Sequence, residues 1–219
     1  MFASQYPRLT LDNGVEVIAI PDDTKLRQDL FIQKVEHPSK NNLYIYDALF
    51  EHLMHSGQTL IDPMAGSGSA MYLARRGIKV ILIELEVKFQ ELLYVNKSGF
   101  EGNELVTIIP GDCRKVLPLL QGVADHMVFS PPYSNQIKMG SGTAVYDKQA
   151  RSIAEGIEAF VANPDNLSRL TPFYFDQAMI EIYTHCFNAL KQGGTCTVIN
   201  KDRYVNKERV RVTEHHLRL

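Results

Sequence analysis

The sequence predicts a three-layer α/β sandwich built on a mainly parallel sheet. Short, almost purely apolar runs alternate with segments of helical periodicity, the pattern of buried strands with helices crossing between them. Asp62, Glu84, Asp112 and Ser130 each follow one of those runs, and sheets of this kind bind ligands at the carboxyl ends of their strands. With 219 residues, 45% of them hydrophobic, the chain can fill one large domain, or one domain with a small appendage.

Residues 1–36 read as the appendage. Leu9-Thr10-Leu11 and the run Val15 to Ile20 flank Asn13-Gly14, a strong short-range signal for a hairpin turn. The hairpin is read first as structure, with an extra sheet edge, a dimer contact and a nucleic-acid contact as alternatives. Pro21-Asp22-Asp23 marks a turn, and Leu30 to Glu36 leads into the main domain, 37–219.

In that domain Thr59-Leu60-Ile61 reads as a strand and runs into Asp62-Pro63-Met64-Ala65-Gly66-Ser67-Gly68-Ser69, followed by the helix-like Ala70 to Arg76. Gly66 and Gly68 permit a tight strand-to-helix turn and close approach of a ligand to the backbone. Val80 to Ile83 is the next strand and ends at Glu84, about 20 residues past the glycine turn, where a carboxylate can take both hydroxyls of a ribose. Val106 to Ile109 ends near Gly111-Asp112, which places a further carboxylate at the same edge for an adenine amine. The three loops converge on one adenosine-type cofactor.

His126-Met127-Val128-Phe129 reads as a strand that stops at Ser130-Pro131-Pro132-Tyr133, because two consecutive prolines cannot continue a sheet. The turn suits a planar amine. The lone pair of a nucleobase amine is delocalised into the ring, so an enzyme that alkylates it must draw the nitrogen towards tetrahedral geometry. The Ser130 hydroxyl and the Pro131 carbonyl can accept the two amine hydrogens, which is catalysis by positioning and electrostatics. Tyr133 would stack on the base, and a base inside a duplex must first be flipped out or supplied single-stranded.

Taken in this order, the motifs resemble those of the S-adenosylmethionine-dependent amino-methyltransferases that modify DNA. Asp62 to Ser69 is similar to the family's cofactor-binding motif, and Phe129 to Tyr133 to its catalytic motif, with Ser130, Pro131, Pro132 and Tyr133 in the catalytic positions. His37-Pro38-Ser39-Lys40 looks like the motif that precedes the glycine loop in one permutation class and completes the methionine end of the pocket. The resemblance implies a Rossmann-like class I methyltransferase fold, with S-adenosylmethionine held by His37, Pro38, Ser39, Asp62, Pro63, Met64, Ala65, Gly66, Ser67, Gly68, Glu84, Asp112 and Cys113. Leu190 to Gly194 looks like the family's helix-to-strand turn, with Thr195 to Ile199 as the strand after it. It also implies DNA as the partner, through a flipped or single-stranded base. Met64 stands where the family usually has Phe, an exchange of one apolar contact for a more adaptable one. Ser130 stands where other members have Asp or Asn. Ser is typical of N4-cytosine enzymes, while Asp and Asn are associated with N6-adenine; some enzymes cross that line, and the variant favours cytosine.

The formal net charge of −2 requires that any nucleic-acid contact use a local patch. Lys201, Arg203, Lys207, Arg209 and Arg211 form one candidate, diluted by Asp202 and Glu208. The interval Ser134 to Pro172 forms another, with a flexible loop at Gln136 to Tyr146 and a helix at Ala150 to Phe160. No run approaches the roughly 20 apolar residues of a membrane span, and the N-terminus lacks a secretion signal. Three widely spaced cysteines, Cys113, Cys186 and Cys196, suit a reducing cytoplasm and read as packing residues. His37 is placed in the cofactor pocket by its motif, His126 reads as strand packing, and no histidine has metal-ligand spacing. After Val198 there is little room for the antiparallel strand pair that usually closes such a fold. The expectation is incomplete C-terminal strands, with a helix starting near Thr213 and an oligomer or partner subunit covering the edge.

Two other classes stay open: a methyltransferase of protein amides or RNA, whose amines pose the same electronic problem, and a non-catalytic cofactor-binding subunit.

Overall fold

The computed structural model describes residues 7–10, 14, 16–33, 40–132, 163–200, 202–205 and 208–219. Its centre is a five-stranded, wholly parallel sheet of β3 (Thr59–Asp62), β4 (Lys79–Glu84), β5 (Val106–Pro110), β6 (Ala124–Phe129) and β7 (Leu190–Val198), in the order β5-β4-β3-β6-β7.

Strand side chains alternate between faces, and here both faces are buried. Leu60, Val80, Leu82 and Val128 point into one apolar cluster, with Leu43, Tyr46, Met71, Leu73 and Leu93. Ile61, Ile83, Met127 and Phe129 point into the other, with Leu117, Phe175, Met179 and Ile182. That is why the runs lack any polar alternation. The first cluster is roofed by helices α2 (Leu43–Leu53) and α3 (Val87–Ser98), the second by α4 (Cys113–Val116) and α5 (Pro172–Ala189). Three layers result, as predicted.

Several local expectations change. The segment after the glycine turn winds as a 3₁₀ helix over Ser69–Arg76, not as an α-helix, and Ser69 to Ala74 are all buried. A 3₁₀ run of this length is uncommon, so packing overrides the better hydrogen-bond geometry of the α form. The turn expected at Leu190 to Gly194 is instead a bulge inside β7: Ala124 pairs with Leu190, but His126 already pairs with Thr195. Gly194 sits so close to its neighbour that a Cβ would lie 2.9 Å from the Asp125 carbonyl oxygen.

An α-helix not foreseen, α1 (Thr24–Leu30), follows the Pro21-Asp22-Asp23 turn, where the Asp22 carboxylate accepts the Thr24 N–H at 2.9 Å. Leu26, Leu30 and Phe31 pack on the first cluster, so this part of the N-terminal segment rests on the main core.

The N-terminal hairpin is present, with β1 (Arg8–Thr10) antiparallel to β2 (Glu16–Ile18), but as a sheet of its own. At the C-terminal end β8 (Arg203–Val205) and β9 (Glu208–Val210) form another separate pair, followed by helix α6 (Val212–His216). Among the described residues β7 is therefore an edge of the main sheet. Arg211 of the basic segment is paired with Glu214 at 2.8 Å. Lys201 and Lys207 lie outside the described residues, as do Gln136 to Tyr146 and Ala150 to Phe160. His126 is a packing residue, held between the Thr195 hydroxyl at 2.7 Å and the Gln58 side-chain oxygen at 3.0 Å.

Candidate nucleoside-binding edge

The chain winds outward from β3 in both directions: β4 and β5 lie to one side, β6 and β7 to the other. The switch point falls between β3 and β6, where sheets of this topology open a ligand crevice at their carboxyl ends. The fold is Rossmann-like.

At the end of β3 the buried Asp62 accepts the Met64 N–H at 3.0 Å and so starts the glycine turn. Ala65 N–H donates to the Ile83 carbonyl at 3.0 Å, which stitches the turn to β4, and Gly68 N–H closes it onto the Ala65 carbonyl at 2.8 Å. Gly66 and Gly68 both hold left-handed backbone, with φ of 50° and 78°. At Gly68 a Cβ would also meet the Leu93 Cδ2 at 2.4 Å. Gly68→Ala should therefore cost about 1–2 kcal/mol for the left-handed residue alone, with a further cost for moving Leu93. Urea unfolding reads this directly, and a loss below about 0.5 kcal/mol would mean that the turn does not need glycine there.

Glu84 ends β4 and grips the same turn. One of its carboxylate oxygens accepts the Gly66 N–H at 2.6 Å and the other the Glu86 N–H at 2.8 Å, with the residue 6% exposed. Asp62 and Glu84 are thus two buried carboxylates at one sheet edge. Burial raises Asp62 to about 7, with the Glu84 charge adding to it and the Met64 N–H opposing. Burial likewise raises Glu84 to about 7, against the backbone N–H groups of Glu86, Gly66 and Leu85 and with Glu86 adding repulsion. The buried Tyr46 hydroxyl is pushed up too, by burial and then by the charge of Asp62.

Such shifts fix a sign. A carboxyl whose folded pKa is raised stabilises the fold below its unfolded value near 4, and that contribution is lost as pH rises through about 7. From pH 5 to pH 8 the two carboxyls should lower the melting temperature of the ligand-free protein, against the opposite contribution of the buried His126 and the half-buried His216, so Asp62→Asn should gain melting temperature relative to the unsubstituted protein as pH rises. An unaltered slope in the variant would contradict it. Asp112 adds nothing there, because it is held low and stays ionised.

Asp112 follows β5 and caps α4 by accepting the Arg114 N–H at 2.9 Å. Its carboxylate is also taken by the Arg114 guanidinium, at 2.5–3.0 Å. Burial pushes Asp112 up, but the Arg114 bonds and charge outweigh it and leave the pKa lowered. The Cys113 side chain packs in the second apolar cluster, and burial raises its thiol to about 12.

Ser130, Pro131 and Pro132 follow β6 directly, and the Ile199 N–H donates to the Phe129 carbonyl at 2.8 Å, tying the end of β7 to the start of this loop. Ser130 is partly exposed and Pro131 buried. Tyr133 lies outside the described residues, as do His37, Pro38 and Ser39. In the glycine motif Pro63 and Ala65 are buried, while Met64 and Ser67 are partly exposed.

Three contributors escaped the sequence reading. Glu86, two residues past Glu84 and just before α3, accepts the Asn163 N–H at 3.1 Å and the Asn166 side-chain amide at 2.7 Å. An acid directly before a helix was a visible signal, but its partners some 80 positions on were not. Arg27 of α1 donates to the Ser69 hydroxyl at 3.2 Å and to the Asn41 carbonyl, and pairs with Asp23 at 2.7 Å. Tyr46 of α2 stands beside Asp62. Among the described residues no group of three or more His, Cys, Asp or Glu can hold a metal ion, and no helix is long and apolar enough to cross a membrane.

No family model and no curated protein matches the chain. Among solved structures it is similar to a conserved hypothetical protein of Streptococcus pyogenes, at 24% identity and a TM-score of 0.36, covering 52% of this chain and 65% of that one. It is also similar to a putative S-adenosyl-L-methionine-dependent methyltransferase of Methanococcus maripaludis, at 16% identity and a TM-score of 0.45, covering 80% and 59%. A third is the precorrin 8W decarboxylase of Methanobacterium thermoautotrophicum, at 16% identity and a TM-score of 0.47, covering 88% and 92%. The chain thus spans less than two thirds of the length of the first two.

Proposed function

We propose that this chain is an S-adenosylmethionine-dependent methyltransferase acting on an exocyclic base amine of DNA, with N4 of cytosine as the favoured target. The observation that carries the proposal is the order of strand ends. Glu84 on β4, the glycine turn after β3 and the Ser130-Pro131 loop after β6 stand side by side on adjacent parallel strands. A nucleoside-binding loop and an amine-binding loop thereby share one edge.

The residues fit the cofactor. Each Glu84 oxygen accepts one backbone N–H and keeps a second lone-pair direction, which is what two ribose hydroxyls need. Asp62 and Glu84 are raised by burial and by repulsion between carboxylates, and a ligand carrying an ammonium and a sulfonium relieves that repulsion. Asp112 faces the adenine end, with Arg114 holding it ionised. When bound, S-adenosylmethionine supplies an electrophilic methyl group.

The chain's own part in the transfer is positioning. The Ser130 hydroxyl and the Pro131 carbonyl would accept the two amine hydrogens and so leave the nitrogen lone pair free on the side of the nucleoside-binding loop. A proton from the amine can pass to water, so no histidine base is required. Ser130 is shorter than Asp or Asn and suits a flipped pyrimidine rather than a purine.

The test is transfer of labelled methyl to unmodified DNA, RNA and peptide pools, followed by digestion and mass spectrometry. N4-methylcytosine is the expected product. N6-methyladenine as the sole product would overturn the base assignment, and label in RNA or peptide alone would overturn DNA.

A further inference from the structure

The polar side chains beside the glycine turn hold more hydrogen-bond donors than acceptors. Arg27 of α1 comes from the segment read as an appendage, and its side chain is 14% exposed. Its Nε donates to the Asp23 carboxylate at 2.7 Å, Nη2 to the Asn41 carbonyl, and Nη1 and Nη2 each approach the Ser69 hydroxyl oxygen at 3.2 Å. Each terminal nitrogen carries a pair of hydrogens. Nη1 therefore keeps one hydrogen with no acceptor among the described residues.

Ser69 directly follows Gly68 and is 5% exposed, and its hydroxyl accepts from Arg27 but donates to nothing among the described residues. Tyr46 repeats the pattern. Its hydroxyl, on a residue 1% exposed, accepts the Asn41 side-chain amide at 3.3 Å and finds no acceptor of its own among the described residues. Unpaired buried donors are costly, so the surplus fits an anion. A carboxylate stands close by: burial raises the Tyr46 pKa, the charge of Asp62 adds to it, and the Asn41 bond and the charge of Arg27 oppose it. One hydroxyl thus feels a carboxylate and a guanidinium together. The matching ligand end carries an ammonium and a carboxylate.

We propose, on the S-adenosylmethionine reading above, that Arg27 and Ser69 bind the carboxylate at the methionine end of that cofactor, which makes α1 part of the binding site. The free Nη1 hydrogen and the Ser69 hydroxyl hydrogen supply the bonds. Asp23 takes Nε alone and so leaves the terminal edge of the guanidinium open to the ligand. Asp62, which uses one oxygen on the Met64 N–H, keeps the other for the ammonium. A plain clasp between α1 and the glycine turn would be complete with Asp23 and Asn41, and it gives no use for the two free donors.

The whole chain is titrated calorimetrically at pH 8 with S-adenosylmethionine and with its decarboxylated analogue, which keeps the adenosine, the sulfonium and the amine and lacks only the carboxylate. The unsubstituted chain should bind S-adenosylmethionine at least about tenfold more tightly than the analogue, the range of a charge-assisted pair. In Arg27→Met that preference should fall to within about twofold, through loss of S-adenosylmethionine affinity while the analogue binds as before. Ser69→Ala leaves the Arg27–Asp23 pair and the Asn41 bond in place. It should cut the preference by about threefold or more, and so tests the site even where Arg27→Met fails to fold. No preference in the unsubstituted chain, a preference that both variants keep, or equal weakening of both ligands in Arg27→Met would make Arg27 a clasp and overturn the proposal. Failure of the unsubstituted chain to bind either compound would instead overturn the S-adenosylmethionine reading itself.

Discussion

Ser130→Ala should lower the single-turnover rate of methyl transfer roughly 10²-fold or more and leave S-adenosylmethionine affinity within about twofold. The separation follows from where the residue stands. Ser130 follows β6, whereas the contacts proposed for the cofactor lie at the ends of β3, β4 and β5. Its hydroxyl has no hydrogen-bond partner among the described residues, and its backbone neighbour Phe129 is held by Ile199 through main-chain atoms that alanine keeps. What alanine removes is one of the two acceptors proposed for the amine, in a site where oriented groups would need no reorganisation during reaction. Rapid-quench measurement at saturating cofactor and DNA gives the rate, and calorimetry the affinity. A rate within threefold of the unsubstituted protein would strip Ser130 of its role, and a parallel loss of affinity would make it a cofactor residue instead.

Glu84→Gln should weaken S-adenosylmethionine binding at pH 8 by about 2 kcal/mol, roughly 30-fold, because the charge-assisted bonds to the ribose are lost. Its pH dependence is the sharper readout. On the proposed reading, ribose hydroxyls would donate to the ionised carboxylate, while burial holds the ligand-free group at about 7. Below that pH a proton must leave before the cofactor binds, so affinity of the unsubstituted protein should fall with falling pH, by up to tenfold per unit for this one group. Asp62 titrates in the same range and adds its own share. Glutamine abolishes the Glu84 share, leaving a shallower slope. Calorimetry at pH 6 and pH 8 distinguishes the cases: equal slopes, or equal affinity at pH 8, would place the ribose elsewhere.

The apolar strands and the polar residue that ends each were legible because a strand buried on both faces cannot alternate with polar residues. Leu60-Ile61-Asp62 and Ile83-Glu84 show both halves of that rule. Helix α1 was missed because it is only 7 residues long and buries no residue fully. The bulge in β7 read as a turn because a glycine pair signals either; the pairing of His126 with Thr195 distinguishes them. Position at the edge was thus legible for Glu84, but its grip on Gly66 was not.

By itself the sequence determined the layer architecture, the strand ends that carry Asp62, Glu84, Asp112 and Ser130, and the two motifs that frame the edge. All of these are written in local spacing, since an unbroken apolar run and a glycine turn need only neighbours in the chain. Only the tertiary structure decided that Glu86 holds the segment at Asn163, that Arg27 reaches Ser69, and that Asp112 is already engaged by Arg114. Each of these depends on side-chain geometry or on pairing between separate elements, and burial sets the pKa of Asp62 and Glu84 only once the core has closed around them.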